Sequence, residues 1–471
     1  MTTHKVGHYS FKWTSQHMSK EEAEPLKHTY DELGSYVVTK LQEIAQRNKN
    51  SEGGPVPPPC QMDLYGLLRD HRHEDERLAQ FWDETHTVPE WVDWEQIERG
   101  QKFLYRYAPG NLMGFALQGF MGENTAAPGI SEVLIRTGGF STRTLLRRLL
   151  ETFQFLLQVT ESLDAVKPGG TGHITTIRVR LLHSMVRERI MRIEKTRGNY
   201  FDMEELGAPV NTIGSIHSIT TFSCNHSWLQ LPFMGVYPTE QETTDYIALF
   251  RYIAHVIGTP TQYFETTARA KATMESMLVH QFRLNETSDV VAHNFVQTLT
   301  DLPPMNVSAQ FIEAGSRVFN GDDLCDKIGL GRPSWYSYAC FRGFCWLVSA
   351  LAFLQHASPM FDEYITGFLK RTLHDVVIHS KNGLAGGSKL EFKHVPQYGK
   401  TVGKEGHERS PPSSASWITR RPVETFLFAC FVLGCLLFVT VMLLMSQAVG
   451  LLYMNLAQDQ MLVIHESHSF V

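Results

Sequence analysis

Apolar residues recur at helical spacing along much of the chain, and this pattern predicts a mostly helical protein. Residues 142–160 (TRTLLRRLLETFQFLLQVT) carry apolar side chains every three or four positions without Gly or Pro, and Ser141 precedes them as the predicted N-cap. Residues 174–196 predict a further helix, whose apolar stripe consists of Val179, Leu182, Val186, Ile190 and Ile193. Alternation of the kind that favours strands is scarce. The pattern therefore predicts an all-α fold.

Two shorter apolar segments, residues 246–257 and 343–354, also predict helices. The second begins after Arg342 and has twelve residues. A helix needs about 20 apolar residues to cross the hydrocarbon core of a bilayer. This segment is therefore expected to lie in the folded domain and to be too short to span a membrane.

Residues 425–445 (TFLFACFVLGCLLFVTVMLLM) form a run of twenty-one residues without a charge. Thirteen of them are Leu, Phe or Val, and on insertion scales these favour the membrane by about 4–8 kcal/mol in total. A buried core helix of this length would normally carry a polar stripe, which this run lacks. We therefore predict a single C-terminal transmembrane helix that anchors the protein and contacts membrane lipid.

The residues that flank this run predict its orientation. Arg420 and Arg421 precede it, and no Lys or Arg follows it as far as Val471. The positive-inside tendency then places residues 1–421 in the cytosol and the tail in the lumen. The N-terminus shows no apolar core of a signal peptide, and the seven cysteines show no CxxC pair or disulfide framework. We expect a single-pass protein, with the endoplasmic reticulum as its expected membrane.

The composition indicates how the chain is divided into units and which class of partner is not expected. A net charge of −6 without an extended basic stripe argues against nucleic acid. Residues 48–59, rich in Gly and Pro, are expected to hold neither helix nor strand, and residues 382–416 predict a flexible tether. The predicted units are a polar N-terminal region with its linker (1–60), a catalytic or binding domain (61–380), a tether (381–421), the anchor (422–455) and a short tail (456–471).

Histidine 183 is the first candidate for chemistry, because it falls on the apolar stripe beside Leu182 and Val186. A histidine in this position is commonly a core residue with one satisfied hydrogen bond. Imidazole is also a common axial ligand of haem iron, and haem needs an apolar slot. The residues alone leave both interpretations open.

Arginine 148 and Thr152 are four residues apart and therefore share one helix face. They could hold a haem propionate or orient oxygen, or they could be a surface arginine and a threonine bonded to its own helix. Arg147 and Glu151, also four apart, predict an exposed ion pair. Glu132 could be a base of raised pKa beside an apolar pocket, or a solvated carboxylate.

Three segments carry a resemblance to a known family: residues 128–138 (PGISEVLIRTG), 148–152 (RLLET) and 179–187 (VRLLHSMVR). In this order they resemble signatures of the ER-bound oxygenases of the MpaB type and the bacterial rubber oxygenases called latex clearing proteins. Further similar motifs extend the resemblance over about residues 61–360: VPEW at 88–91, GAPVN at 207–211, and residues 235–258.

The resemblance implies a globin-like helical core that holds haem b, with His183 as the proximal iron ligand and Arg148 and Thr152 beside the haem. Glu132 falls where the rubber oxygenases carry a carboxylate proposed as a base. Glu151 stands where those enzymes carry a lysine, and an ionised carboxylate is a poor substitute for an amine ligand, so we do not expect it to coordinate iron.

The implied function is a membrane-anchored haem b oxygenase. It would use O2 to cleave a C=C bond in a hydrophobic substrate of isoprenoid or lipid-like character. The alternative is a membrane-anchored haem- or lipid-binding protein without turnover.

Overall fold

The computed structural model describes residues 2–52, 62–285, 287–390 and 421–468. A small antiparallel hairpin opens the chain, with β1 (Thr3–Val6) paired to β2 (Tyr9–Lys12). The rest of the described chain is helical apart from its connections, so the predicted all-α class is confirmed with this hairpin as a minor addition. The first ten helices are α1 (Lys20–Ala23), α2 (Glu32–Glu52), α3 (Leu64–His71), α4 (Glu76–His86), α5 (Trp94–Arg106), α6 (Ala108–Gly114), α7 (Pro128–Arg136), α8 (Leu145–Val159), α9 (Leu163–Val166) and α10 (Thr171–Arg197).

The second half of the chain continues the helical pattern. Its helices are α11 (Met203–Leu206), α12 (Thr212–Phe222), α13 (Leu231–Phe233), α14 (Glu240–Ile257), α15 (Thr267–His280), α16 (Ser288–Leu299), α17 (Ala309–Asn320), α18 (Asp322–Lys327), α19 (Trp335–Ala357), α20 (Pro359–His374) and α21 (Pro422–His468). Wider π-helical turns occupy Phe115–Asn124, His226–Gln230 and Asp375–His379, and 3-10 turns occupy Pro25–Lys27 and Thr261–Phe264.

Three predicted helices are present with shifted ends. Helix α8 begins at Leu145, and Ser141 is not its N-cap, because the Ser141 hydroxyl lies 2.9 Å from the Thr144 hydroxyl instead of capping a helix amide. Helix α10 is slightly longer than predicted. Helix α14 begins six residues earlier than expected, where Thr239 and Glu242 form a capping box.

Helix α19 is much longer than the helix predicted at residues 343–354. It has 23 residues, from Trp335 to Ala357, and its N-cap is Ser334. Arg342 and Gly343, which suggested a boundary, continue the helix: Arg342 is exposed, and Gly343 lies against the backbone of α21. The expectation that this helix is too short to span a membrane is therefore wrong. By length and composition, α19 and Pro422–Leu452 are both candidate spans within the described residues, α19 half buried and the other almost fully exposed.

The N-terminal segment packs on the rest of the protein. Helix α2 continues through Glu52, so the predicted linker begins later than residue 48, and residues 53–61 lie outside the described residues. Val37, Val38 and Leu41 of α2 are fully buried where this helix packs against α10. Residues of the segment 1–60 thus share a core with the predicted domain, although the division of the chain into units stays a prediction.

Candidate functional site

A mostly apolar cavity of about 330 Å³ lies among α7, α8, α10, α12 and α14. Its apolar wall consists mainly of Phe120, Val133, Phe155, Leu182, Phe222 and Phe250. Polar side chains also line the cavity, among them Arg148, Glu151, Thr152 and His183. Ligand pockets commonly measure about 300–1,000 Å³ and combine apolar walls with a few polar groups, so this cavity has the size and character of a binding site.

His183 enters the cavity wall from α10, together with Val179, Leu182 and Val186 of the same helix face. Its ring makes no hydrogen bond, ion pair or ring contact with any residue that the structure describes. Burial, together with the charge of Arg187 and against the opposing effect of Asp31, lowers the pKa of His183 to about 4. The imidazole is therefore neutral at pH 7, the form in which a ring nitrogen can bind a metal.

A second, polar cavity of about 20 Å³ also borders His183. Asp31, Arg180 and Arg187 line it, and one water molecule needs about 10–15 Å³. The Arg180 guanidinium donates to both oxygens of Asp31, from Nε at 2.8 Å and from Nη2 at 3.0 Å. Burial opposes ionisation of Asp31, yet the hydrogen bonds and charge of Arg180 outweigh it and lower the pKa of this carboxyl. His183 thus lies between the apolar cavity and a rigid charged network.

Helix α8 places Arg148 and Thr152 in the cavity wall, as their shared face predicted. Burial lowers the pKa of the Arg148 guanidinium, while the Glu151 carboxylate opposes this shift. The Thr152 hydroxyl donates to the Arg148 carbonyl at 2.9 Å, so this threonine is bonded to its own helix. Thr152 therefore lines the cavity with its hydroxyl proton already engaged within the helix.

The exposed ion pair predicted for Arg147 and Glu151 is wrong in one respect. Glu151 is 3% exposed and lines the cavity, whereas the Arg147 side chain is 59% exposed. The Glu151 carboxylate accepts from Arg147 Nε at 3.1 Å, from Arg148 Nη1 at 2.5 Å and from Ser388 Oγ at 2.9 Å. Glu151 is thus a buried carboxylate held by two guanidinium groups and one hydroxyl.

Ser388 belongs to a segment that sequence reasoning assigned to the flexible tether. Its backbone exchanges two hydrogen bonds of 2.7 Å with the Gln154 side chain, and Leu390 lines the cavity. The stretch before residue 391 therefore packs across α8, and residues 391–420 lie outside the described residues. Its Gly- and Ser-rich composition carried no signal for this contact.

Glu132 is not brought together with the other candidates. Helix α7 lines the cavity with Gly129, Ile130, Val133 and Leu134, while the Glu132 carboxylate is not part of the wall. The carboxylate accepts from Arg136 Nε at 2.8 Å and from Asn285 Nδ2 at 3.3 Å. The role of Glu132 as a base stays a prediction that this geometry does not support.

Among the described residues, no group of three or more His, Cys, Asp or Glu side chains has the arrangement of a metal site. Haem differs from such sites because the porphyrin supplies four nitrogen ligands and the protein needs to supply only an axial one. The unpartnered imidazole of His183 in an apolar cavity fits this requirement.

The family model described as "ER-bound oxygenase mpaB/B'/Rubber oxygenase, catalytic domain" matches residues 102–350, just over half of the chain. The chain belongs to this family. The match lies within the region over which the motifs predicted it, and it covers α7, α8, α10, α12 and α14, which form the cavity. The predicted relationship to the mpaB and rubber oxygenases is confirmed.

Two similar proteins extend this finding. The rubber oxygenase of Streptomyces sp. (strain K30) is 21% identical over 262 residues, which are 54% of this chain and 61% of that protein. The chain thus matches less than two thirds of this relative's length. The solved structure described as latex clearing protein LCP in the closed state has a TM-score of 0.55 at 16% identity, covering 73% of this chain and 91% of the other. At this identity the likeness shows a common fold of the mpaB and rubber oxygenase family.

Proposed function

We propose that this protein is a haem b oxygenase that uses O2 to cleave a C=C bond in a hydrophobic small molecule. One observation carries the proposal: the neutral imidazole of His183, which has no hydrogen-bonding partner among the residues that the structure describes, faces an apolar cavity in a chain that belongs to a family of oxygenases. The relative named rubber oxygenase supports an isoprenoid or lipid-like substrate, since rubber is a polymer of isoprene units.

His183 would hold the haem by binding its iron through a ring nitrogen. Arg148, one of the cationic side chains in the cavity wall together with Lys27 and Arg283, would meet a haem propionate, and the aromatic side chains of Phe155 and Phe222 would contact the porphyrin. Haem iron, when bound, supplies the activation of O2 that no amino-acid side chain can perform. The other steps described here belong to the residues of this chain.

Binding of the substrate would rest on contact with the apolar wall. Each Å² of hydrocarbon surface that this contact removes from water contributes about 25 cal/mol of favourable free energy. The same wall excludes water from the reacting alkene. Glu151 holds Arg148 in place through its 2.5 Å contact with Nη1, so the guanidinium keeps one position in the wall. Addition of both atoms of O2 across a C=C bond, with loss of the C–C link, would give two carbonyl products.

We also propose that α21 crosses a membrane, as its apolar run from 425 to 445 predicts. The basic residues before the run would keep the catalytic domain in the cytosol, and the family description supports the endoplasmic reticulum. A hydrophobic substrate partitions into the bilayer, so an anchored active site would meet it at high local concentration.

The test uses the full chain purified in detergent or in lipid nanodiscs. We expect a haem Soret band and consumption of O2 when the isoprenoid alkene squalene is added, with carbonyl products detected by mass spectrometry. Squalane, the saturated counterpart, is the matched control and should give no consumption. A Soret band without O2 consumption would favour the haem-binding alternative, and a protein that takes up no haem would contradict the proposal.

A further inference from the structure

A strongly apolar corner is exposed where α19 ends and α20 begins. Phe353 and Leu354 on α19 are 71% and 51% exposed, and Met360 and Tyr364 on α20 are 82% and 66% exposed. These four residues define the α19–α20 corner. Soluble proteins rarely expose large apolar side chains in such a group unless the surface meets lipid, a ligand or another protein.

Helix α19 packs along the first part of α21, and the two helices run in the same direction. The Cys340 thiol donates to the Glu424 carbonyl at 3.3 Å, Gly343 lies against the backbone of Leu427, and Trp346 stacks on Phe431 with ring centroids 5.1 Å apart. The partners advance together along both helices. Only glycine at position 343 permits this close packing, because a Cβ there would lie 1.9 Å from the Leu427 carbonyl oxygen.

This parallel packing sets the position of the corner relative to the apolar run of α21. From Cys340 to Ala357 a helix rises by about 25 Å, at about 1.5 Å per residue. Cys340 contacts Glu424, and the apolar run of α21 begins at the next residue, Thr425. From this level α19 therefore extends beside the run by about 25 Å, close to the hydrocarbon thickness of about 30 Å. The corner is therefore displaced in the direction in which α21 would enter the bilayer.

Exposed charges on α19 and α20 lie mostly away from the corner. Arg342 is near the level at which the α21 run begins, and Arg371 is on the last turn of α20. Arg421, which contacts Asp301, stands at the same end of α21. Glu363, the only exposed carboxylate of these two fully described helices, is the exception and lies in the corner next to Tyr364. Arg342 and Arg421 thus lie near one level, and the apolar corner lies beyond it along α19, which is typical of a surface that enters a bilayer.

We infer that the α19–α20 corner is inserted among lipid acyl chains on the side from which α21 enters the membrane. The inference rests on the proposed membrane function and deepens it, since the domain would be immersed in the bilayer and not suspended from a tether. A soluble partner is not the expected occupant, because it would have to reach the corner beside an apolar helix inside the membrane. Helix α20 also packs against α8, whose other face lines the cavity, so lipid would lie one helix layer from the proposed active site.

The test places an environment-sensitive dye on single introduced cysteines in the full chain, reconstituted in phosphatidylcholine vesicles. The background carries Cys60→Ser, Cys430→Ser and Cys435→Ser, because the remaining cysteines, Cys224, Cys325, Cys340 and Cys345, are buried. The dye is attached at Met360→Cys in the corner, at Leu437→Cys in the α21 run, and at Arg189→Cys, an exposed position on α10. Tyr364→Cys provides a second corner position if the first variant folds poorly.

Phosphatidylcholine with a doxyl group in its acyl chain should quench the dyes at Met360→Cys and Leu437→Cys by about twofold or more, and leave that at Arg189→Cys unchanged. Aqueous iodide should give the reverse order. A corner dye that behaves like Arg189→Cys while Leu437→Cys is quenched by lipid overturns the inference and leaves the anchor in place. If lipid does not quench Leu437→Cys either, the membrane part of the proposed function fails, and the inference fails with it.

Discussion

Two buried histidines of this protein have opposite surroundings. His183 lies in the cavity wall and its ring has no hydrogen-bonding partner among the described residues. His217, on α12, places Nε2 at 3.0 Å from the Glu123 carboxylate, which also accepts from Thr221 and Gln118. Burial opposes ionisation of Glu123, but the hydrogen bond and charge of His217 outweigh it and lower the pKa of the carboxyl. A buried imidazole that has a carboxylate partner is a structural group, whereas one that faces a cavity is available to a ligand.

The largest expected effect concerns the ligand role of His183. His183→Ala should abolish the Soret band, because the proposed axial ligand is lost, while helical circular dichroism stays close to wild type. The ring makes no hydrogen bond to the described part of the chain, so the change in stability should be about 1–3 kcal/mol, from lost packing alone. Full haem occupancy with an unchanged spectrum in this variant would require another ligand and would remove the basis of the oxygenase proposal.

His217→Ala should show the opposite pattern. It leaves the buried Glu123 carboxylate without its imidazole partner, and removing one partner of a buried pair of this kind lowers the free energy of unfolding by about 3–5 kcal/mol. Thermal denaturation should show a marked fall in Tm, with the Soret band of the folded fraction retained. The double variant Glu123→Gln with His217→Ala should recover part of the loss, since it removes the unpaired charge. No recovery would indicate that packing and not the charge pair stabilises this site.

His183 also predicts a pH dependence for the stability of the haem-free protein. The pKa of His183 is about 4 when folded and about 6.5 when unfolded, so the unfolded chain binds more protons between these values. Stability is therefore lost as pH falls from about 6.5 toward 4, by about 2–3 kcal/mol from this group. His183→Asn should flatten the curve in this window. Equal slopes for wild type and variant, measured by chemical denaturation at pH 7 and 5, would contradict the assignment.

Arginines 147 and 148 provide a matched pair on one helix. Both contact Glu151, but only Arg148 lines the cavity, and its side chain is 19% exposed against 59% for Arg147. Arg148→Ala should weaken haem binding by about tenfold, a typical loss for a charge-assisted hydrogen bond, and Arg147→Ala by about twofold or less. Haem titration of both variants measures this difference. Equal small losses would indicate that Arg148 only pairs with Glu151 and does not contribute to haem binding.

The helix faces around the cavity could be predicted because periodicity within one helix determines which residues lie together. Val179, Leu182, His183 and Val186 form one face of α10 and all line the cavity. The burial of Glu151 could not be predicted in this way. It depends on Ser388, which is 237 residues away in the chain and lies in a segment whose composition indicates a tether.

The full length of α19 was also missed, for a related reason. Exposed Arg342 interrupts the apolar run in sequence but not the helix, and the room left by Gly343 is needed only because α21 packs there. Contacts between distant segments thus determine what local pattern cannot. The same limit applies to Glu132, since a motif fixes its position in the chain but not the direction of its side chain on α7.

Glu132 gives the smallest expected effect and the finest test of the site. Its carboxylate is held by Arg136 and Asn285 and does not line the cavity, so Glu132→Gln should change turnover by about threefold or less and leave the Soret band intact. A general base that acts on the substrate would instead contribute about 10²–10⁴-fold. Arg136→Gln is the matched control, because it removes the same ion pair and keeps the carboxylate. A large loss of turnover in Glu132→Gln, with Arg136→Gln near wild type, would mean that the carboxylate turns toward the cavity when substrate is bound, and would restore Glu132 to the catalytic site.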